Sequence, residues 1–383
     1  MKNIELLLNN NKTVKKQFNI KKLKFDKNYK SYTFEIYNKV FCGDNIFEII
    51  SIINYLVDNY PNQRIPIIFL SNTNDIIFSD KLVYVVLECI CYYMIEKRKQ
   101  SIIFDFTPKR VIWSDGIFCS PLYQLRKPSE FKIKFVKDLQ FRHYRKILNC
   151  EECIGKELSE LMQEIECFLR NNGVSEENSY SLSEMLTELV GNAGEHAEAD
   201  TLIDIDLTEE NYTKVDNQES NYYGMNTAII SFSPILFWDP LKEKMKKRGE
   251  LELSEEYNTV IKAYEYHKDF FSDEYTENDF YAISSFQDHI SGSLEKKMGG
   301  RGLTTLLKSI EEQTDTHYCY FLSGNTIIHL KRELLNTDSN GMVGFNLESE
   351  YVSSIPDKEA IQKISTFLPG TSFNLNFAVK KEW

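Results

Sequence analysis

At 383 residues, with 42% hydrophobic and 13% aromatic content, the chain is long enough to bury two sizeable cores and too apolar to be disordered. Its 45 Lys and Arg against 57 Asp and Glu leave a net charge of -12, which argues against non-specific binding of a phosphate backbone and hence against a nucleic-acid partner. No apolar run reaches the roughly eighteen residues of a membrane span, the opening segment is unlike a secretion signal, and the 8 cysteines are scattered, so the chain reads as a cytoplasmic protein with reduced thiols and no membrane partner.

Residues 1–150 alternate β-rich runs (Tyr32-Thr-Phe-Glu-Ile-Tyr, Pro66-Ile-Ile-Phe-Leu, Ser101-Ile-Ile-Phe-Asp-Phe) with helical ones (Ile46 to Val57, Ser79 to Glu96), an α/β pattern. The second helix ends in Lys97-Arg98-Lys99, cations that complement a helix dipole. Ile102-Ile-Phe-Asp-Phe-Thr followed by Val111-Ile-Trp-Ser-Asp-Gly-Ile weakly resembles a STAS-like domain, where a strand leads through a turn to a small-residue helix start. Phe135 to Cys150 reads as a charged connector. Within it Phe141-Arg-His143-Tyr-Arg-Lys has a faint likeness to a phospho-acceptor box, although a His among basic residues is more often plain surface. Cys150-Glu-Glu-Cys153 is the one close cysteine pair; a zinc site wants a second, for which His317 and Cys319 are the nearest candidates, and simple thiols are the preferred reading. Glu151 to Asn171 is an amphipathic helix closed by Asn171-Asn172-Gly173. The boundary between residues 1–150 and a second domain, 151–383, is placed here.

Ser183 to Ala199 forms a helix with Leu182, Met185, Leu186, Leu189, Val190 and Ala193 in one apolar stripe. Glu188, Asn192 and His196 recur every four residues along its edge, so their side chains converge on one ligand. A carboxylate orients or deprotonates an attacking oxygen, while a neutral amide oxygen holds Mg²⁺ without adding charge beside a triphosphate. The run Glu188-Leu-Val-Gly-Asn192-Ala-Gly-Glu-His196 resembles the N-box of the GHKL (Bergerat-fold, histidine-kinase-like) ATPases, nearest to the E-x-x-x-N-A-x-x-H pattern of the anti-sigma-factor kinases. The resemblance covers about Asn178 to Val379 and implies an α+β, two-layer sandwich that binds ATP and Mg²⁺, with Glu188 catalytic, Asn192 the metal ligand and His196 beside the nucleotide.

Downstream, Gly299-Gly300-Arg301-Gly302 opens an amphipathic helix beginning Leu303-Thr304, and glycines at a helix start cradle phosphate with backbone amides. This resembles the family's second glycine box. Tyr318 to Leu330 reads as a hairpin. Pro369-Gly-Thr371-Ser-Phe-Asn-Leu then resembles the closing G-T-x-F-x-L strand, whose Thr lies near the adenine.

The match departs from the family where a strand should end in D-x-G-x-G. Here Asn226-Thr-Ala-Ile-Ile-Ser231-Phe-Ser233 puts Ser231 at the adenine-reading Asp position, which implies weaker base selectivity unless Asp239 or Asp288 substitutes. Thr208 to Asn221 reads as a long hairpin connection. Residues 234–298 read as a long, charged lid insertion; Lys296 and Lys297 ahead of the glycines are placed to reach a γ-phosphate, with solvated loop lysines the preferred reading. The expected function is an ATPase acting as a nucleotide-dependent switch on a protein partner, a homodimer or its own N-terminal domain. A histidine or serine protein kinase of the anti-sigma type and a degenerate, non-catalytic scaffold are the alternatives.

Overall fold

A computed structural model describes residues 1–12, 20–28, 30–36, 40–60, 67–100, 102–108, 116–124, 127–153, 155–208, 222–249, 254–290, 301–313 and 319–382. The chain opens with α1 (Ile4–Asn10), β1 (Leu23–Asp26), β2 (Ser31–Ile36), β3 (Val40–Phe41), α2 (Gly43–Asn59), β4 (Ile67–Phe78), α3 (Lys81–Glu96) and β5 (Ile102–Pro108). β1 and β2 are antiparallel, whereas β2, β4 and β5 run parallel and β3 pairs with the far end of β4. Parallel pairing needs crossover helices, which α2 and α3 supply. Asp80 caps α3 by accepting the Val83 N–H. The residues from Lys81 to Cys91 are buried all the way round the helix, the mark of a helix enclosed on more than one side.

A turn at Gly116–Cys119, α4 (Pro121–Gln124) and α5 (Pro128–Val136) lead to β6 (Lys137–Gln140) and β7 (His143–Leu148). The stretch read as a charged connector is therefore largely two strands, and both belong to the sheet of the C-terminal half. After them come α6 (Lys156–Asn171), α7 (Glu176–Ala197), β8 (Thr201–Thr208), β9 (Tyr222–Ser231), α8 (Asp239–Lys246), α9 (Glu255–His267), α10 (Glu277–Ser284), α11 (Arg301–Gln313), β10 (Tyr320–His329) and β11 (Ile361–Lys380). The six strands lie in the order β10-β11-β9-β8-β7-β6, every pair antiparallel. α6 closes on Gly173 at φ 81, with Val174 N–H returned to Leu169 and Gly173 N–H to Arg170, the two bonds that end a helix at a left-handed glycine.

Alternation along the strands gives the sheet two dissimilar faces. Ile203, Ile205, Met225, Ile229, Phe373, Leu375 and Phe377 pack with α6, α7 and α11 in one core. Leu202, Ala228, Ile230 and Phe232 share a second core with α1, α2, α3 and the parallel sheet. The α/β class stands, and the face that a two-layer sandwich leaves open is covered by the N-terminal helices.

The rest of that covered face is ionic. Arg145 of β7 donates to Glu88 of α3 and to Asp204 of β8, and Lys81 bridges Asp204 and Asp206. Ser120 donates to Glu88, Asn226 to Asp206 at 3.1 Å, and Asn376 to Asn226 at 2.6 Å. The Leu82 N–H reaches Asn374 of β11 at 3.2 Å. Burial works against every charge here, yet Asp204 and Asp206 hold Lys81 well above its usual pKa, and Arg145, Lys81 and His143 hold Asp204 well below its own. For Glu88 burial prevails over Arg145 and raises the carboxyl. Gly116 seals the cluster: a Cβ there would stand 2.3 Å from an Asp206 oxygen.

The segment read as a lid is, over its described residues, a packed helical unit. Val260, Ala263, Phe280 and Ile283 belong to the same core as α7. Asp279 ties α10 to the sheet by accepting from Thr326 at 2.8 Å and Lys363 at 2.6 Å. Nor is Tyr318 to Leu330 a hairpin: its described part is the single strand β10, and Ser323-Gly324-Asn325 forms an irregularity in the ladder with β11. Gly324 has φ 56, and a Cβ there would stand 3.0 Å from the Trp238 ring, so the glycine serves a strand irregularity and a close approach, not a hairpin turn.

Candidate functional site

α7 starts at Ser175, whose hydroxyl accepts the Asn178 N–H at 3.2 Å, with Glu176 and Glu177 in its first turn. Its stripe of Leu182, Met185, Leu186, Leu189 and Val190 is at most 2% exposed and presses on the sheet. That burial fixes the rotation of the helix and leaves Glu188 and Asn192, one turn apart, half-buried along one edge. Gly191 between them lets α6 approach, since a Cβ there would be 3.1 Å from Leu158. His196 lies in the last turn of α7; its side chain is outside the described residues.

α11 is described from Arg301 and packs beside α7 and against β11. Leu303, Leu306, Leu307 and Ile310 anchor it in the core. Thr304 in its first turn donates to Asp288 at 3.2 Å. Gly299, Gly300, Lys296 and Lys297 are outside the described residues, as are the side chain of Arg301 and all but the helical backbone of Gly302.

Ser231 ends β9, directly opposite Thr371 of β11 on one side and Thr201 of β8 on the other. Three hydroxyl residues thus form a row across three strands, on the face that carries α7. The Ser231 hydroxyl donates to the Thr371 carbonyl at 3.3 Å. Gly370, at φ 90, brings β11 against this strand end; a Cβ there would lie 2.3 Å from the Ser231 carbonyl oxygen. The fold so gathers Glu188, Asn192, the start of α11, Ser231 and Thr371 from separate segments onto one face of one sheet.

Of the substitutes for the missing carboxylate, Asp239 is occupied at the start of α8, accepting the Leu236 N–H at 2.8 Å. Asp288 is engaged by Thr304, close to the first turn of α11. His143 is neither a surface residue nor placed to receive a phosphoryl group. It is 1% exposed, with Nδ1 2.9 Å from Asp138 and Nε2 3.1 Å from Asp204. Burial pulls its pKa down, but those two carboxylates outweigh burial and hold it above the ordinary value. Among the described residues no group of His, Cys, Asp and Glu is arranged to hold a metal. Cys319 is buried, its sulfur bonded to the Asn376 backbone, with burial pushing the thiol up to about 12.

Sequence reasoning missed the joint of Lys81, Glu88, Arg145, Asp204 and Asp206. The signal was present in Asp204 and Asp206, charged residues alternating with Ile203, Ile205 and Leu207 in a strand otherwise apolar enough to be central. No helix among the described residues is long and apolar enough to cross a membrane. No family model matches the chain, and no curated protein or solved structure matches it either.

Proposed function

We propose that the chain binds Mg-ATP on the α7 face of the six-stranded sheet and hydrolyses it, the nucleotide serving as a switch on what the N-terminal half presents. The observation that carries this reading is the convergence of the Glu188 helix, the α11 start and the Ser231–Thr371 strand ends on a single face. An ordinary amphipathic helix with a solvated edge has no need of that convergence.

The donor set suits the ligand. Asn192 offers a neutral hard oxygen and would hold the metal; Mg²⁺, when bound, supplies charge neutralisation at the β- and γ-phosphates. Glu188, half-buried one turn away, orients the attacking oxygen and takes its proton. Amides at the start of α11 receive phosphate oxygens, assisted by the positive end of the helix dipole. Ser231 and Thr371 sit at the base end. With its proton directed to the Thr371 carbonyl, Ser231 offers lone pairs, which suit the amino group of adenine.

Incubation with γ-labelled ATP tests the reading. Release of free phosphate dependent on Mg²⁺ and on Glu188 is expected. Label retained on the protein would make the chain a kinase, and absence of both label transfer and nucleotide binding would leave a scaffold.

A further inference from the structure

The first eleven residues are fastened to the strand ends that carry the hydroxyl row. The Lys2 N–H donates to Asp200, just ahead of Thr201, at 2.6 Å. The Asn3 amide donates to the carbonyl of Phe232, the residue after Ser231, at 3.3 Å. Asn11 and Phe367 exchange two bonds, Asn11 Nδ2 to the carbonyl at 2.7 Å and Phe367 N–H to Oδ1 at 2.8 Å, a few residues before Thr371 on β11. Between these points α1 buries Ile4, Leu7 and Leu8 and lies against β11. The residues flanking α1 therefore fasten next to Thr201 and Ser231, and on β11 four residues before Thr371.

Asn3 also departs from its local role. It occupies the cap of α1 in the left-handed region, φ 63 and ψ 10, and its side chain makes no cap bond. The helix forgoes a cap bond, and the side chain goes to Phe232 instead. Residues that break a local preference in favour of a distant partner mark places where the distant partner matters.

We infer that Asn3 is a positioning residue for the base end of the nucleotide site and that α1 couples occupancy of that site to the N-terminal half, an inference that rests on the nucleotide reading above. Fixing the Phe232 carbonyl fixes the direction in which Ser231 leaves β9. Coupling of this kind is reciprocal: nucleotide on Ser231 tightens the fastenings of α1, and a partner that grips α1 changes nucleotide affinity.

Two measurements on the full chain test it. Hydrogen exchange with and without Mg-ATP is expected to show residues 1–12 gaining protection together with α7 and β9. Titration of Asn3→Asp, which keeps the left-handed and capping preferences but has no proton to donate, is expected to show Mg-ATP weakened about fivefold, the worth of one hydrogen bond. Mg-tripolyphosphate, which has no base, should bind the variant as it binds the parent. Protection in α7 and β9 without change in residues 1–12 would overturn the coupling and leave nucleotide binding standing. An Asn3→Asp protein that binds Mg-ATP like the parent, or loses both ligands equally, removes the positioning role. No protection anywhere and no binding of ATP by the parent would sink the nucleotide reading, and the inference with it.

Discussion

Ser231 and Thr371 stand directly opposite each other on β9 and β11, and the Ser231 hydroxyl gives its proton to the Thr371 carbonyl. A hydroxyl so committed faces a ligand as an acceptor. Ser231→Ala is therefore expected to weaken ATP about fivefold, one neutral hydrogen bond, and to leave GTP unchanged because guanine presents an oxygen where adenine presents its amino group. Competition of each nucleotide against a fluorescent analogue gives the ratio. Equal effects on ATP and GTP would move the base away from Ser231.

Glu188 and Asn192 share one edge of α7 but have different tasks, so their variants should separate. Asn192→Ala is expected to abolish Mg-dependent binding in calorimetry. Glu188→Gln should bind Mg-ATP within about twofold of the parent while phosphate release falls by about a hundredfold or more, the usual worth of a positioned base. Parent-rate turnover by Glu188→Gln would end the assignment of that base.

Breaking the ionic joint should cost far more than its surface counterparts. Arg145→Met leaves Glu88 and Asp204 buried without their guanidinium, and a loss of about 3 to 5 kcal/mol is expected in urea unfolding. Exposed pairs such as Lys156 with Glu160, screened by solvent, should contribute far less. Replacing Arg145 and Glu88 together by apolar residues should cost less than the two single changes summed, which a double-mutant cycle measures directly.

His267 supplies a pH dependence with a definite sign. Burial lowers its pKa to about 4 from the ordinary 6.5, and the neutral ring accepts from Tyr275 at 2.6 Å and donates to the Tyr351 carbonyl at 2.9 Å. A depressed histidine contributes stability that is complete above pH 6.5 and is lost as pH falls from there toward 4, about 3 kcal/mol in all. Unfolding midpoints of the parent and of His267→Asn at pH 7 and pH 4.5 should converge at the lower pH. A constant gap between them would show that the ring does not titrate on unfolding.

The helices that frame the site were legible because one face of each is apolar and the other wet. Leu182 to Val190 and Leu303 to Ile310 announce α7 and α11 by spacing alone. β6 and β7 were not, because His143 and Arg145 mimic a solvated surface while being buried against charges supplied by α3 and β8. Hydropathy cannot distinguish a wet side chain from one neutralised in the interior. Gly324 misled in another way, since a Ser-Gly-Asn step reads as a turn, whereas its left-handed backbone, φ 56, sits in a strand irregularity against the Trp238 ring, remote in sequence. Asn3 carries no sequence signal at all; its partner Phe232 is met only in the fold.

α3 lies between two sheets, and this bears on how the chain matures. Lys81 and Glu88 leave the ribosome well before Arg145, Asp204 and Asp206 exist, and the Leu82 N–H waits for Asn374 on the final strand. The N-terminal half therefore cannot complete the packing of α3 by itself. Its central helix, charged and apolar together, lacks its cover until β8, β9 and β11 have been made, and fragments ending near residue 150 lack Asp204, Asp206 and Asn374.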